Sequence, residues 1–258
     1  MLASVDGTIG PADEARIPIA DDGLLRGDGA FEVMRLYAGR PFAVDDHYAR
    51  LARSCAGLRL AVDVELVRAE VDALLAAAGA IEALVRVMLT RGGRRIAVIE
   101  RLPEHPPAAR VATIAYSPNR VLDGLKTLSY GGNMLATRLA KEAGFDEALL
   151  VTPHGRVLEG PTWSFFWVRD GALLTPPLAD RILASITRTA VVEAAEAVEA
   201  PCTLDDLAHA DEAFIASTVR EVLPISAIDE RVLPAAPGPV TLRARDALAR
   251  RIAQAIAV

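Results

Sequence analysis

The sequence predicts an α+β fold made of two mixed α/β domains. Three observations carry this. Strand-like and helix-like runs are interspersed along the 258 residues without the strict alternation of a parallel α/β protein. Several β-rich runs face each other across short turns such as Ala38-Gly39 and Asp170-Gly171, which is a hairpin signal. Around 117–125 the chain changes character, with Ser117-Pro-Asn119 reading as a connector. The predicted division is therefore a smaller N-terminal domain over 1–118 and a larger C-terminal domain over 119–258. A hydrophobic content of 52% is ample for a core in each.

The elements follow in order. Residues 1–30 are rich in turn signals: Asp6-Gly7, Asp21-Asp22-Gly23 and Gly27-Asp28-Gly29. Phe31 to Tyr37 favours a strand, and Pro41 to Val44 returns along it. Asp45 or Asp46 caps a helix in which Tyr48, Leu51, Ala52 and Cys55 recur at helical spacing. A second helix runs from Val62 to Ala78 and stops at Gly79. Leu84–Leu89, Ile96–Ile99 and Val111–Tyr116 read as strands, with a Pro/Arg-rich link over 102–110. Asn133 to Ala143 is helical and stopped by Gly144. Two hairpins follow, Glu147–Val151 with Arg156–Glu159, and Ser164–Val168 with Ala172–Thr175. Ser185 or Thr187 opens a helix running to about Ala200. Leu204–Ala208 is a helical turn, Ala213–Thr218 a strand leading into Glu221–Ile225, and Val240–Ala257 an amphipathic helix.

Composition excludes several classes of function. A net charge of −6 with interspersed signs argues against nucleic-acid binding. No window approaches a membrane span. The start, Met-Leu-Ala-Ser-Val-Asp, has no signal-peptide pattern, so Cys55 and Cys202 read as free thiols in a reducing, cytoplasmic setting. His47, His105, His154 and His209 have no metal-ligand spacing, so no metal is expected. Gly27-Asp-Gly29 leads into a strand and is not a dinucleotide fingerprint.

One imbalance points to chemistry. Only two of the 28 Lys and Arg residues are lysines, Lys126 and Lys141. Arginine serves for charge and anion binding, but only lysine can lose its proton and attack a carbonyl to form a Schiff base. Lys141, in Ala-Lys-Glu-Ala-Gly, reads as a solvated helix end. Lys126, between Leu125 and Leu128, sits in apolar company that lowers an amine pKa. The plain alternative is a compositional accident that spared one surface lysine.

Six stretches stand in a family's order: Gly27-Asp-Gly-Ala-Phe-Glu-Val33, His47-Tyr-Ala-Arg-Leu51, Leu125-Lys-Thr-Leu-Ser-Tyr130, Val157-Leu-Glu-Gly160, Ile182-Leu-Ala-Ser-Ile-Thr-Arg188 and Ala216-Ser-Thr-Val-Arg-Glu-Val222. From about Asp6 to Pro224 the chain resembles the fold-type IV pyridoxal-phosphate aminotransferases. These include D-amino acid and branched-chain aminotransferases and aminodeoxychorismate lyases. The resemblance implies the D-amino acid aminotransferase-like fold, with pyridoxal 5'-phosphate held between the two domains. It implies a Schiff base on Lys126, and Glu159 as the carboxylate that keeps the pyridine nitrogen protonated. It implies Arg50, Ile186, Thr187, Ser217 and Thr218 around the phosphate, Tyr130 at the ring's phenolic oxygen and Leu183 on its face. Each has a plainer alternative: a hairpin glutamate at 159, a solvated helix arginine at 50, a strand-end turn at 217–218, and core packing at 130 and 183. The resemblance also implies a homodimer in which the segment around Arg26 reaches the partner's cofactor site.

Four departures bear on specificity. Gly160-Pro-Thr-Trp-Ser164 replaces the family's Gly-Ser-Ser-Ser-Asn, so Trp163 removes hydroxyl hydrogen bonds behind the cofactor and narrows the pocket. Arg26 stands where relatives carry Phe or Tyr, and Arg86 lies in a strand that relatives turn to the substrate. A shorter Arg91-Gly-Gly-Arg-Arg95 replaces an arginine-and-histidine loop. The expected activity is ping-pong transamination between an amino acid and a 2-keto acid. Arg26 with Arg86 as a carboxylate clamp tips the donor toward D-amino acids. Aminodeoxychorismate lyase is the first alternative, and branched-chain or (R)-amine transamination the next. A cofactor-free scaffold that binds a partner is the non-enzymatic reading.

Overall fold

The computed structural model describes residues 1–257. The chain falls into two compact units. One comprises Met1–Pro103 with Leu125–Tyr130 and the chain's end from Ala255, the other Glu104–Gly124 with Gly131–Gln254. Lys126 therefore belongs by contact to the first unit, although it lies beyond residue 118.

The first unit begins with a hairpin, β1 (Leu2–Val5) and β2 (Thr8–Pro11), closed by Asp6-Gly7. A five-residue helix α1 (Asp22–Arg26) is capped by the Asp21 side chain, which accepts from the Gly23 amide. Then come β3 (Gly29–Tyr37), β4 (Arg40–Pro41), α2 (Val44–Gly57), α3 (Val64–Ala78), β5 (Ala83–Thr90) and β6 (Arg95–Glu100). The sheet order is β2-β1-β6-β5-β3-β4. Period-2 alternation turns Ala30, Met34 and Leu36 of β3, Val85, Val87 and Leu89 of β5, and Ala97 and Ile99 of β6 onto one face. Tyr48, Leu51 and Cys55 of α2 and Val67, Val71 and Leu74 of α3 cover that face.

Three expectations change here. The return strand is only Arg40–Pro41 long, because α2 begins at Val44. Asp45 and Asp46 lie in the first turn of α2 instead of capping it, where a negative charge suits the helix dipole. The β1–β2 hairpin adds strands to a stretch expected to be turns; its pairing of Ser4 with Ala97 on β6 sets its place.

The second unit contains β7 (Ala109–Ala115), α4 (Gly131–Glu142), β8 (Glu147–Val151), β9 (Arg156–Val157), β10 (Ser164–Arg169), β11 (Ala172–Thr175) and α5 (Ile186–Ala195). It continues with β12 (Val198–Glu199), β13 (Cys202–Thr203), α6 (Leu204–Ala208), β14 (Glu212–Ser217), β15 (Glu221–Ile228), β16 (Arg231–Val232) and α7 (Pro239–Ile256). The sheet order is β12-β11-β10-β14-β15-β7-β8-β9-β13, and β16 pairs with β15. The parallel pair β7–β8 is buried on both faces. Val111 and Leu149 enter one cluster, with Phe165, Trp167 and Ile215, while Ala112 and Leu150 enter another, with Ala136 and Ala140 of α4. Helix α5 is shorter than expected. Glu196 adopts the left-handed conformation that ends it, and Leu174↔Val198 pairing captures the following residues as a strand.

Candidate active site

Lys126 is fixed first through its backbone. Thr127 forms an antiparallel bridge with Ala30. The Phe31 amide donates to the Lys126 carbonyl (3.1 Å), and the Leu128 amide to the Gly29 carbonyl (2.8 Å). The Lys126 amide donates to Ser54 Oγ on α2 (3.1 Å). The segment thus runs along the start of β3, and the two glycines there are what let it approach. A Cβ on Gly29 would lie 2.3 Å from the Leu89 carbonyl oxygen and 2.6 Å from Leu128 Cδ1. Gly27 has φ +67° as the C-cap of α1, and its carbonyl accepts from Ser129 Oγ (3.1 Å). This is the physical role of the Gly-Asp-Gly stretch.

The amine has aromatic company in place of the expected leucines. Lys126 Nζ lies 4.4 Å from the Phe31 ring centroid and 5.9 Å from that of Tyr130. The two rings meet edge to face at 5.2 Å. Leu125 instead packs on Gly57, and Leu128 on Gly29. Phe31 carries a second cation, Arg86, with Cζ 5.6 Å from the same centroid. Phe31 is thus approached by both cations, each within about 6 Å of its centroid.

Sequence reasoning missed the most buried ionic group in this unit. Glu32 is next to Phe31 but on the opposite, buried face of β3. Arg50 donates to it twice, from Nε to Oε1 (2.6 Å) and from a terminal nitrogen to Oε2 (2.7 Å). Neutral His47 donates to Oε2 through Nδ1–H (2.8 Å). Arg50 is 4% exposed, so it is not a solvated helix residue. Burial pushes the Glu32 carboxyl upward, but Arg50, then His47, overcome this and bring it down to about 2. Burial chiefly holds His47 below its ordinary 6.5, against the upward pull of Glu32. Two signals could have found the group. Glu32 shares its strand parity with Ala30, Met34 and Leu36, and a carboxylate on a buried face requires partners. His47 and Arg50 stand three apart, on one face of α2.

The second unit positions the remaining predicted residues. Glu159 follows β9, and its Oε1 accepts from the Leu183 amide (2.9 Å), which brings these two together. Tyr116, raised above its ordinary pKa by burial and then by the charge of Glu159, is a further neighbour the sequence did not single out. Ser185 caps α5 by accepting from the Arg188 amide (3.2 Å). Ile186 and Thr187 are the first residues of that helix, where amides lack intrahelical acceptors and favour an anion. Ser217 ends β14, its Oγ accepts from the Arg220 amide (3.0 Å), and Thr218 lies in the turn so formed.

Both arginines of the expected clamp have carboxylate partners. Arg26 is 68% exposed on its side chain and pairs with Asp22 (3.0 Å). Arg86 is held by Glu100 through two hydrogen bonds of 2.6 and 3.0 Å, with about a third of each side chain exposed. The arginines of the shorter loop are also engaged: Arg91 with Asp28, Arg94 with Asp6 and Arg95 with Glu70.

Each unit by itself carries groups that fit the cofactor the sequence led us to expect: in the first, a half-buried amine suits an aldehyde, and in the second, a carboxylate oriented by a backbone amide, a helix start and a hydroxyl turn suit a phosphorylated pyridine. Among the described residues no cluster of His, Cys, Asp and Glu could hold a metal ion. No helix there is long and apolar enough to cross a membrane.

Comparison with known proteins bears on the same residues. The family model described as Amino-transferase class IV matches residues 29–228. A putative branched-chain-amino-acid aminotransferase of Methanocaldococcus jannaschii is 34% identical, covering 90% of each chain. The D-alanine aminotransferase of Bacillus licheniformis is 30% identical, over 98% of this chain and 97% of its own. The structure of 4-amino-4-deoxychorismate lyase from Pseudomonas aeruginosa superposes with a TM-score of 0.83 at 31% identity, over 96% of this chain and 98% of that one.

Proposed function

The chain belongs to the class IV aminotransferases, and from that premise we propose a pyridoxal-phosphate-dependent transaminase that moves an amino group between a D-amino acid and a 2-keto acid in a ping-pong cycle. When bound, the cofactor supplies an electron sink for the bond broken at the substrate Cα. Lys126 Nζ would be the covalent attachment point, and as a general acid and base it would hold and move the proton of the substrate Cα. Glu159 keeps the pyridine nitrogen protonated, with its own orientation set by the Leu183 amide. The amides of Ile186 and Thr187, the hydroxyls of Ser217 and Thr218, and Arg50 receive the phosphate. Tyr130 would be the partner of the phenolic oxygen, and Leu183 would pack on the ring.

The observation that supports an α-amino acid donor is the Phe31 ring, approached by both the lysine amine and Arg86, and the D-specific choice draws on the D-alanine aminotransferase relative. An α-amino acid needs both a nitrogen site and a carboxylate site. Arg86, whose Nε and one terminal nitrogen are held by Glu100, would offer its remaining donors to the carboxylate, and Arg26, paired with Asp22, would add charge from its exposed position. A second reading, branched-chain donors, draws support from the archaeal relative and from half-buried Val33, Met88 and Val98 around Arg86. The test is a panel of D- and L-amino acids followed spectrally in half-reactions. D-Alanine with a keto acid is expected to turn over, and Arg86→Leu to weaken it by roughly 1.5–3 kcal/mol in kcat/KM with the cofactor spectrum unchanged. Turnover of branched-chain L-amino acids alone would replace the donor class. Pyruvate release without a keto-acid acceptor would identify a lyase.

The active species in this reading is a homodimer. Segment 17–25 exposes Ile19 at 81%, with Ile17, Leu24 and Leu25 also exposed, and this many exposed apolar side chains in one short segment suit a second copy of the chain. Ile19→Glu with Leu25→Glu is expected to halve the mass seen by light scattering and to reduce activity. A wild-type monomer at full activity would contradict the dimer.

A further inference from the structure

Trp163, which stands where the family pattern has serine, does not simply fill space. Its indole lies on Gly160, where a Cβ would come within 1.9 Å of Trp163 Cε2. The Gly160 amide donates to the Trp163 carbonyl (2.8 Å), which closes the turn after Glu159. Indole Nε1–H donates to Oε2 of Glu147 (3.3 Å), a buried carboxylate at the start of β8. The other oxygen of the same carboxylate, Oε1, is ion-paired with Arg220, and both side chains are nearly enclosed. Arg220 also donates to Thr162 Oγ1 (3.3 Å), and its backbone amide donates to Ser217 Oγ.

One carboxylate therefore holds two turns. The first, 160–163, follows Glu159; the second, 217–220, carries Ser217 and Thr218. The Ser164↔Ala216 register between β10 and β14 sets these turns side by side at one end of the sheet. Sheet pairing alone fixes the strand ends, but the turns beyond them need a further tie. A buried carboxylate with each oxygen committed to a different turn provides it, and the bidentate demand fixes their separation.

We propose that Glu147 is a positioning residue that sets the phosphate-receiving turn at 217–220 against the turn after Glu159, with Trp163 and Arg220 as its two arms. This rests on the reading above that Ser217 and Thr218 receive the cofactor phosphate. Arg220 acts through the turn geometry: its charge is neutralised by Glu147 and is not the phosphate's counter-ion. Two consequences follow. Removing either arm weakens retention of a phosphorylated ligand, and a ligand lacking the phosphate does not register the change.

The experiment is a titration of cofactor-stripped protein with pyridoxal phosphate and, separately, with pyridoxal, by absorbance and equilibrium dialysis. Wild type, Glu147→Gln, Arg220→Met and Trp163→Phe are compared, with thermal melts on each. Glu147→Gln and Arg220→Met are expected to weaken pyridoxal phosphate by about tenfold or more, and Trp163→Phe by less, because only its N–H is lost. Pyridoxal affinity is expected to stay at the wild-type value in all three, which separates positioning from general destabilisation. Equal affinity for pyridoxal phosphate in wild type and variants would overturn the inference. So would tighter binding in Glu147→Gln with weaker binding in Arg220→Met, since Arg220 would then be a direct phosphate ligand. Equal losses for pyridoxal and its phosphate would also overturn it, as the role would be structural. Failure of wild type to bind pyridoxal phosphate at all would instead remove the functional reading beneath it.

Discussion

Lys126→Ala is expected to abolish transamination while leaving the fold intact. The backbone of residue 126 holds its place through its own amide and carbonyl, to Ser54 Oγ and to the Phe31 amide. Truncation at Cβ removes neither bond. The amine above Phe31 and Tyr130, however, is both the attachment point and the proton carrier of the proposed cycle. Loss of proton transfer alone costs roughly 10²–10⁴ in rate, and loss of the nucleophile adds to it. The melting temperature is expected to move by no more than about 2 °C. Lys141→Ala, on the exposed last turn of α4, is expected to change neither quantity. Comparable activity loss in the two variants would show that neither amine has a distinct role.

Glu32→Ala is expected to be the most destabilising single change in the first unit. It leaves the Arg50 guanidinium buried without the carboxylate that receives two of its nitrogens, and it leaves His47 Nδ1–H without its acceptor. Breaking a buried pair by removing one partner costs about 3–5 kcal/mol. For a chain of this size that is a fall in melting temperature on the order of 10 °C. The same group gives the protein an acid-sensitive side. Glu32 titrates at about 2 in the folded chain against 4.5 as its ordinary value, so its contribution is present above pH 4.5 and is lost as pH falls toward 2. His47 is depressed from 6.5, so below that pH the unfolded chain takes up its proton first and stability starts to decline there. Glu32→Gln is expected to flatten the stability profile between pH 4.5 and 2 while retaining the decline below 6.5. An unchanged profile in Glu32→Gln would show that the carboxylate does not carry the acid response.

Much of the fold is legible in the sequence. The hydrophobic parity of β3 and β5, the Asp170-Gly171 hairpin and the Gly79 and Gly144 stops are local signals, and the chain obeys them. The β1–β2 hairpin was not legible as strands, because four-residue segments gain their pairing from β6, distant in sequence. The last turn predicted for α5 was lost to strand pairing with β11 for the same reason. Local propensity is a weak prior where a tertiary partner competes. At the site, lysine scarcity pointed to Lys126, but its aromatic surroundings could not be read from Leu125 and Leu128, since Phe31 arrives from another strand. Arg50 read as a surface residue because charge patterning carries no record of a buried partner on β3. The carboxylates opposite Arg26 and Arg86 come from α1 and β6, so only the folded chain shows which acid each arginine keeps.

In this reading Lys126 is the amine that bears the cofactor. The direct measurement is borohydride reduction of the protein loaded with pyridoxal phosphate, followed by proteolysis and mass mapping of the modified peptide. The modification is expected on Lys126, within the peptide that contains Leu125 and Tyr130, and is expected to vanish in Lys126→Ala. Stoichiometric modification of Lys141, with Lys126 untouched, would contradict the claim.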